Sequence, residues 1–136
     1  MLKTRHELQR FAIAGAVGFA VDASLLITLF QWLGWDLIPS RLISFSAAAT
    51  TTWLMNRNLT FSHRKSSNYF SEWARYIAVN TAGALLNLGI FIWLMRYLPN
   101  SGLFPLIALA VAAVIALVFN FAGSKYIAFC RKPAAP

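Results

Sequence analysis

The sequence predicts an all-α integral membrane protein: four transmembrane helices forming two parallel two-helix repeats, with both termini cytoplasmic. Three observations lead there. Long stretches are almost free of charge: Phe11 to Trp35 carries only Asp22, while Leu42 to Asn56, Ile77 to Met95 and Tyr97 to Ser124 carry none. Ten of the twelve Lys and Arg residues fall in three segments on one side of those stretches. The two halves of the chain also repeat one another at an offset of 65 residues.

Composition narrows the function classes. The 136 residues are 59% hydrophobic and only 12% charged, with a mean hydropathy of +0.61, where a soluble domain has about 25% charged residues. This length holds one domain, 1–136, and a spanning helix takes about 20 apolar residues, so at most four or five fit. Four Asp and Glu leave little for paired-carboxylate catalysis; one cysteine excludes an internal disulfide, and His6 and His63 alone cannot assemble a zinc motif. No nucleotide loop or Ser/His pair is present. The reading is of a non-enzyme, without metal or cofactor.

Span 1 covers about 11–33. Lys3, Arg5 and Arg10 before Ala14-Gly15-Ala16 resemble a signal peptide. The apolar run continues to Leu33, however, beyond the roughly 7–15 residues of a signal core, so it is a retained span. Span 2, about 39–56, is the weakest, diluted by Ser44, Ser46, Thr50, Thr51 and Thr52; Pro39 suits an early helical position. Arg57 to Ser71 is the longest loop. Span 3, about 75–97, follows Ser71 as a cap, with Glu72 in the first turn, where the helix dipole favours an anion. Span 4, about 103–124, follows the turn signal Pro99-Asn100-Ser101-Gly102. Backbone groups in lipid must pair within their own segment, which makes these spans helices. Trp32, Trp35, Tyr69, Phe70, Trp73, Tyr76 and Tyr97 gather at span ends as an aromatic belt.

Orientation follows from charge. Lys3, Arg5 and Arg10 precede span 1; Arg57, Arg64, Lys65 and Arg75 lie between spans 2 and 3; Lys125, Arg131 and Lys132 follow span 4. Only Arg41 and Arg96 lie near the other side. The positive-inside rule places both termini and the middle loop in the cytoplasm. The net charge of +8 is this bias plus attraction to anionic lipid; with no basic patch apart from the membrane flanks, nucleic acid is not a partner.

The repeat sharpens the picture. At an offset of 65, Arg10-Phe11 falls on Arg75-Tyr76, Gly18 on Gly83 and Asp22 on Asn87. At 64, Ser44, Ala48, Thr52 and Asn56 fall on Ala108, Ala112, Ala116 and Asn120; beyond a four-residue insertion, Arg57 to Phe61 resembles Lys125 to Phe129. Each half is a hairpin beginning and ending in the cytoplasm. Small residues four apart let helix backbones approach, so Ala14-Gly18-Asp22, Val79-Gly83-Asn87 and the two ladders should face inward, with Phe, Leu and Ile on lipid.

These residues (Arg10-Phe11, Gly18, Asp22, Asn56-Arg57 with Thr60-Phe61, and the second copy from Asn120 to Phe129) resemble the GtrA-like family over about residues 8–130. The resemblance implies a small four-helix membrane protein of cell-surface polysaccharide synthesis in the bacterial cytoplasmic membrane. Its founding members are taken to flip polyprenyl-phosphate-linked sugars. A distant relative, the small membrane subunit of dolichol-phosphate mannose synthase, anchors a glycosyltransferase instead, and the resemblance does not choose between these roles.

The chemistry of such a substrate can be matched to the sequence. Its phosphate needs a cation, its sugar a polar lane, and its tail access to lipid. Arg10, Arg57, Arg75 and Lys125 stand at the four cytoplasmic helix ends, with Arg10 and Arg75 expected beside helix N-termini that attract phosphate. Asp22 lies about 18 Å in from Arg10, past the middle of a core about 30 Å thick. A carboxylate there costs about 2.5–3.5 kcal/mol on insertion scales. Three roles stay open for it: acceptor for sugar hydroxyls, proton-coupling site, or structural partner of Asn87 or Arg41. Asn56, Asn80, Asn87 and Asn120 complete the candidate substrate site. A four-helix monomer has little interior, so the expected partners are lipid, a lipid-linked sugar, a membrane glycosyltransferase and a second copy of the chain. A small drug-type exporter would also use an intramembrane carboxylate, but the ten-to-two charge bias argues against its dual topology.

Overall fold

A computed structural model of the chain describes residues 2–99 and 101–130, and every regular element among them is helical. Helix α1 runs Leu2–Ile27 and widens into a π turn, Thr28–Trp32. Gly34, at a φ of 66°, then reverses the chain. Helix α2 spans Leu37–Met55 and ends in a second π turn, Asn56–Thr60, followed by a short 3-10 turn, Ser62–Arg64. Helix α3 is Tyr69–Met95; α4 is Phe104–Gly123, with Pro105 in its first turn, and continues into a third π turn, Ser124–Ala128. Asn100, Arg131 and Lys132, assigned above to a turn and a cytoplasmic flank, lie outside the described residues.

Among the described residues, three stretches are long and apolar enough to cross a bilayer: Lys3–Trp32, Tyr69–Met95 and Phe104–Ala128. The protein is therefore a multi-pass membrane protein. Helix α2 is 19 residues long but is not among them, because hydroxyls dilute it. Those hydroxyls turn back onto the helix: Ser40 donates to the Asp36 carbonyl at 2.8 Å, Thr51 to Ala47 at 2.8 Å and Thr52 to Ala49 at 2.9 Å. Such back-bonding removes much of the cost of a hydroxyl in an apolar setting.

Helices α1, α2 and α3 begin earlier than the spans read from the sequence, and four local expectations change. The long loop shrinks, since residues 56–60 and 62–64 are helical turns and α3 starts at Tyr69. Asn68, rather than Ser71, caps α3: its side chain accepts from the Ser71 amide at 2.9 Å. Arg10 and Arg75 lie well inside α1 and α3, away from the unpaired N-terminal amides. Tyr76 leaves the aromatic belt and is buried; Trp32, Trp35, Tyr69, Phe70 and Tyr97 are exposed as a belt requires.

The chain packs as two compact units, Met1–Lys65 and Ser66–Pro136. In the first, Glu7, Phe11, Ala14 and Gly18 line the buried stripe of α1, and α2 buries Ser40, Ser44, Ala48 and Trp53. The 4-3-4 spacing in α1 and the 4-4 spacing of Ser40, Ser44 and Ala48 in α2 keep each stripe on one helix face. Gly18 sits where a Cβ would fall on the Thr52 methyl, so the small residue sets how closely the backbones approach. The second unit buries Glu72, Tyr76, Val79 and Gly83 on α3, and Ala108, Ala112, Ala116 and Phe121 on α4. There a Cβ on Gly83 would fall on the Asn120 side-chain amide.

Matching these contacts places first-helix residues 65 apart and second-helix residues 68 apart. Thr52 under Gly18 corresponds to Asn120 under Gly83, and Trp53 to Phe121. The offset of 64 for the second helix is thereby corrected, and Asn56 corresponds to Ser124 rather than Asn120. A ladder with small residues every fourth position looks alike when slid by one turn, so only the contact partner fixes its register.

Candidate functional site

In each unit the π turn shapes a polar cluster at the end of the second helix. The wide turn closes with the Phe61 amide donating to the Asn56 carbonyl at 2.7 Å, and with Phe129 donating to Ser124 at 2.8 Å. Both phenylalanine rings are fully buried. Phe61 packs on Phe11 at 6.3 Å between centroids, and Phe129 on Tyr76 at 5.8 Å. A π turn seldom persists without such support and is often found at functional sites.

Helix ends leave carbonyls without backbone donors. Arg10 Nη1 donates to the Leu59 carbonyl at 2.9 Å, and Arg75 Nη2 to the Ala128 carbonyl at 3.2 Å. Both guanidinium groups therefore meet the negative end of a helix, where a cation is favoured, rather than a positive N-terminus. Arg75 Nε is buried without a hydrogen-bond partner.

Next to these lie two buried cations. Arg57 stands over the Trp53 ring at 5.8 Å; Lys125 stands over Phe121 at 5.5 Å and Tyr126 at 5.8 Å. Aromatic faces stabilise a cation that has given up part of its hydration. Asn56 is buried and accepts from the Thr60 hydroxyl at 2.9 Å. The Asn-Arg-(x)2-Thr-Phe run is thus one device: turn closure, cation, internal bond and core anchor.

Two buried carboxylates join these clusters and were missed in the sequence. Glu72 accepts from the Ser66 amide at 2.7 Å, and Glu7 Oε1 lies 3.6 Å from His63 Nε2. The signal was present: Glu7 and Glu72 are themselves 65 residues apart, half of the four acidic residues. Glu7 lies in the charged flank before span 1 and Glu72 in the first turn of α3, where burial is not expected, whereas the stripe of each helix carries them inward. His63, which from sequence could not assemble a zinc motif, is brought to Glu7.

The remaining candidates are dispersed. Asp22 is paired by Arg41, whose Nη1 donates to Oδ2, while Oδ1 is buried without a partner. Of its three open roles, the structure supplies the partner Arg41. Asn80 donates to its own helix at the Tyr76 carbonyl, at 2.9 Å. Asn87 is half-buried, and Asn120 keeps an unpartnered buried Oδ1 beneath Gly83. The structure joins Arg10 to the turn carrying Asn56 and Arg57, and Arg75 to the turn carrying Lys125. Asp22, Asn80, Asn87 and Asn120 do not share those clusters.

The GtrA/DPMS transmembrane domain matches residues 10–129, most of the chain. The chain belongs to the GtrA/DPMS family. The match starts at Arg10 and ends at Phe129, so it is bounded by residues of the two clusters. Membership suggests a role in lipid-linked sugar handling. No curated protein matches the chain closely enough to serve as a named relative.

Proposed function

We propose that the protein flips a polyprenyl-phosphate-linked monosaccharide across the bacterial cytoplasmic membrane, for cell-surface polysaccharide synthesis, without covalent chemistry of its own. The carrying observation is the recurrence of one basic cluster, Arg10 with Arg57 and Arg75 with Lys125, at the ends of apolar helical hairpins. Arg57 and Lys125 are only 4% and 7% exposed. Burying a cation is costly unless it is paired, and ionisable residues retained within a membrane protein mark pairs, relays or pathways. A phosphodiester is the anion such a family handles. In this reading α2 is a fourth span, both hairpins start and end in the cytoplasm as parallel repeats, and residues 57–71 face the same side.

One observation favours a second reading, that of a subunit recruiting a membrane glycosyltransferase. Arg41 already neutralises Asp22, which leaves the interior of the first unit less open to a sugar. Leaflet reorientation of a polyprenyl-phosphate sugar, in vesicles holding the purified protein and no transferase, separates the two. Acceleration over empty vesicles that Arg10→Ala or Arg75→Ala reduces supports flipping. No acceleration, with activation of an added polyprenyl-phosphate glycosyltransferase, establishes the subunit.

A further inference from the structure

Two clefts of the first unit adjoin at Arg10. One, of about 410 Å3, is walled by the basic side chains of Lys3, His6, Arg10 and His63, with Thr60 and Ser62 beside them. The other, of about 360 Å3, is lined by Ile13, Met55 and Leu59, with Asn58 at its edge. Arg10 and Ser62 belong to both. Ile13 and Leu59 are 61% and 53% exposed, so the second cleft opens on the apolar outer face of α1.

We infer that this junction holds the phosphate end of an isoprenoid lipid, an assignment that rests on the lipid-linked-sugar reading. The phosphate sits on Arg10, with Lys3, His6 and His63 around it, and the first prenyl units lie against Ile13, Met55 and Leu59. Arg10 is prepared for this. Its bond to the Leu59 carbonyl uses one N–H and fixes the guanidinium plane, leaving other donors for two phosphate oxygens. Glu7 is the one carboxylate in the basic cleft; it is buried and directed at His63, so the accessible wall is basic. The pairing of a basic cleft with an apolar one selects an amphiphile over a soluble anion. A phosphate alone would leave the Ile13 side empty, and a neutral prenol would leave the cations unmatched. The assignment is specific to the first unit, since 65 residues on from Lys3 and His6 the chain has Asn68 and Ser71.

The test is binding to the full-length protein in lipid nanodiscs, with three probes: a polyprenyl phosphate, the matching polyprenol and inorganic phosphate. The substituted side chains Lys3, Ile13 and His63 are exposed, and far-UV circular dichroism checks that each variant folds. Polyprenyl phosphate is expected to bind at least about tenfold more tightly than either other probe. Lys3→Gln with His63→Gln should weaken it about tenfold or more, since the Lys3 charge and the His63 ring donor to the phosphate are both lost. Ile13→Trp, which fills the apolar cleft, should weaken the lipid but leave inorganic phosphate unchanged. Arg96→Gln removes one charge outside these clefts and should change nothing.

Wild-type affinity in the folded Lys3/His63 double variant overturns the assignment. So does polyprenol binding as tightly as its phosphate. Inorganic phosphate matching the lipid, with Ile13→Trp indifferent, assigns the site to a soluble anion and overturns it as well. Failure of transport with this binding pattern intact overturns flipping alone. Transport at the wild-type rate in the double variant overturns the site and leaves flipping standing.

Discussion

Gly18→Ala offers the sharpest test of how the first hairpin is packed. A Cβ added there falls on Thr52 Cγ2, while its next neighbours, the Ala48 carbonyl at 3.6 Å and Thr52 Cβ at 3.7 Å, are at ordinary contact. The obstacle is a single methyl. Thr52 cannot turn it away without cost, because its hydroxyl donates to the Ala49 carbonyl at 2.9 Å and β-branched side chains have few helical rotamers. Overpacking of this kind costs about 1–3 kcal/mol. Replacing a helical glycine by alanine returns about 1 kcal/mol, for an expected net loss of about 0–2 kcal/mol. Thr52→Ser deletes the obstructing methyl and keeps the hydroxyl, so it should restore most of the loss when combined with Gly18→Ala. A double-mutant cycle from denaturant unfolding in detergent, followed by far-UV circular dichroism, should show coupling of about 1 kcal/mol or more. Gly15→Ala is the control: nothing lies within 4 Å of its Cβ, and no loss is expected. Additivity of Gly18→Ala and Thr52→Ser within about 0.5 kcal/mol refutes the packing argument, as does equal behaviour of Gly15→Ala and Gly18→Ala.

Other outcomes follow from the same geometry. Asn68→Ala should destabilise α3 by about 1 kcal/mol, while Asn68→Asp and Ser71→Ala are close to neutral, because only the Asn68 side chain caps the helix; unfolding midpoints in detergent decide it. Phe61→Ala, which empties a fully buried ring position, should cost about 3–5 kcal/mol in the same assay. Arg41→Asp places a second carboxylate on Asp22 and should lower folded yield more than Arg41→Gln, with Asp22→Arg restoring it in the reversed pair; a reversed pair no better than Arg41→Asp counts against the ion pair. A cysteine at Lys65 should react with thiol reagents only from the cytoplasmic side, and periplasmic labelling overturns the proposed orientation.

Much of the candidate site was legible in the sequence because lipid makes polar residues conspicuous. Arg10, Arg57, Arg75 and Lys125 stand out against apolar runs, and the structure carries each to a hairpin end. Glu7 and Glu72 were overlooked for the opposite reason: they lie among charged flanks, where burial is not expected. Arg10 and Arg75 were assigned to helix N-termini because span length was read from hydropathy. Hydropathy ends where charge begins, whereas the backbone helix continues past it.

The sequence by itself determined the membrane class, the two-fold repetition of Arg, aromatic and Gly, the weakness of the second apolar segment and the inward face of each helix. These rest on side-chain hydration and the 3.6-residue period, both local properties of the chain. Tertiary structure decided what locality leaves undetermined. It chose the register of α2 and α4, since a four-residue ladder is nearly unchanged by a one-turn slide until Thr52 meets Gly18 and Asn120 meets Gly83. It also gave Asp22 the partner Arg41, and brought Arg10 to a carbonyl 49 residues away. Both guanidinium contacts depend on a π turn releasing a carbonyl at the end of the neighbouring helix, and that juxtaposition exists only once two helices have packed.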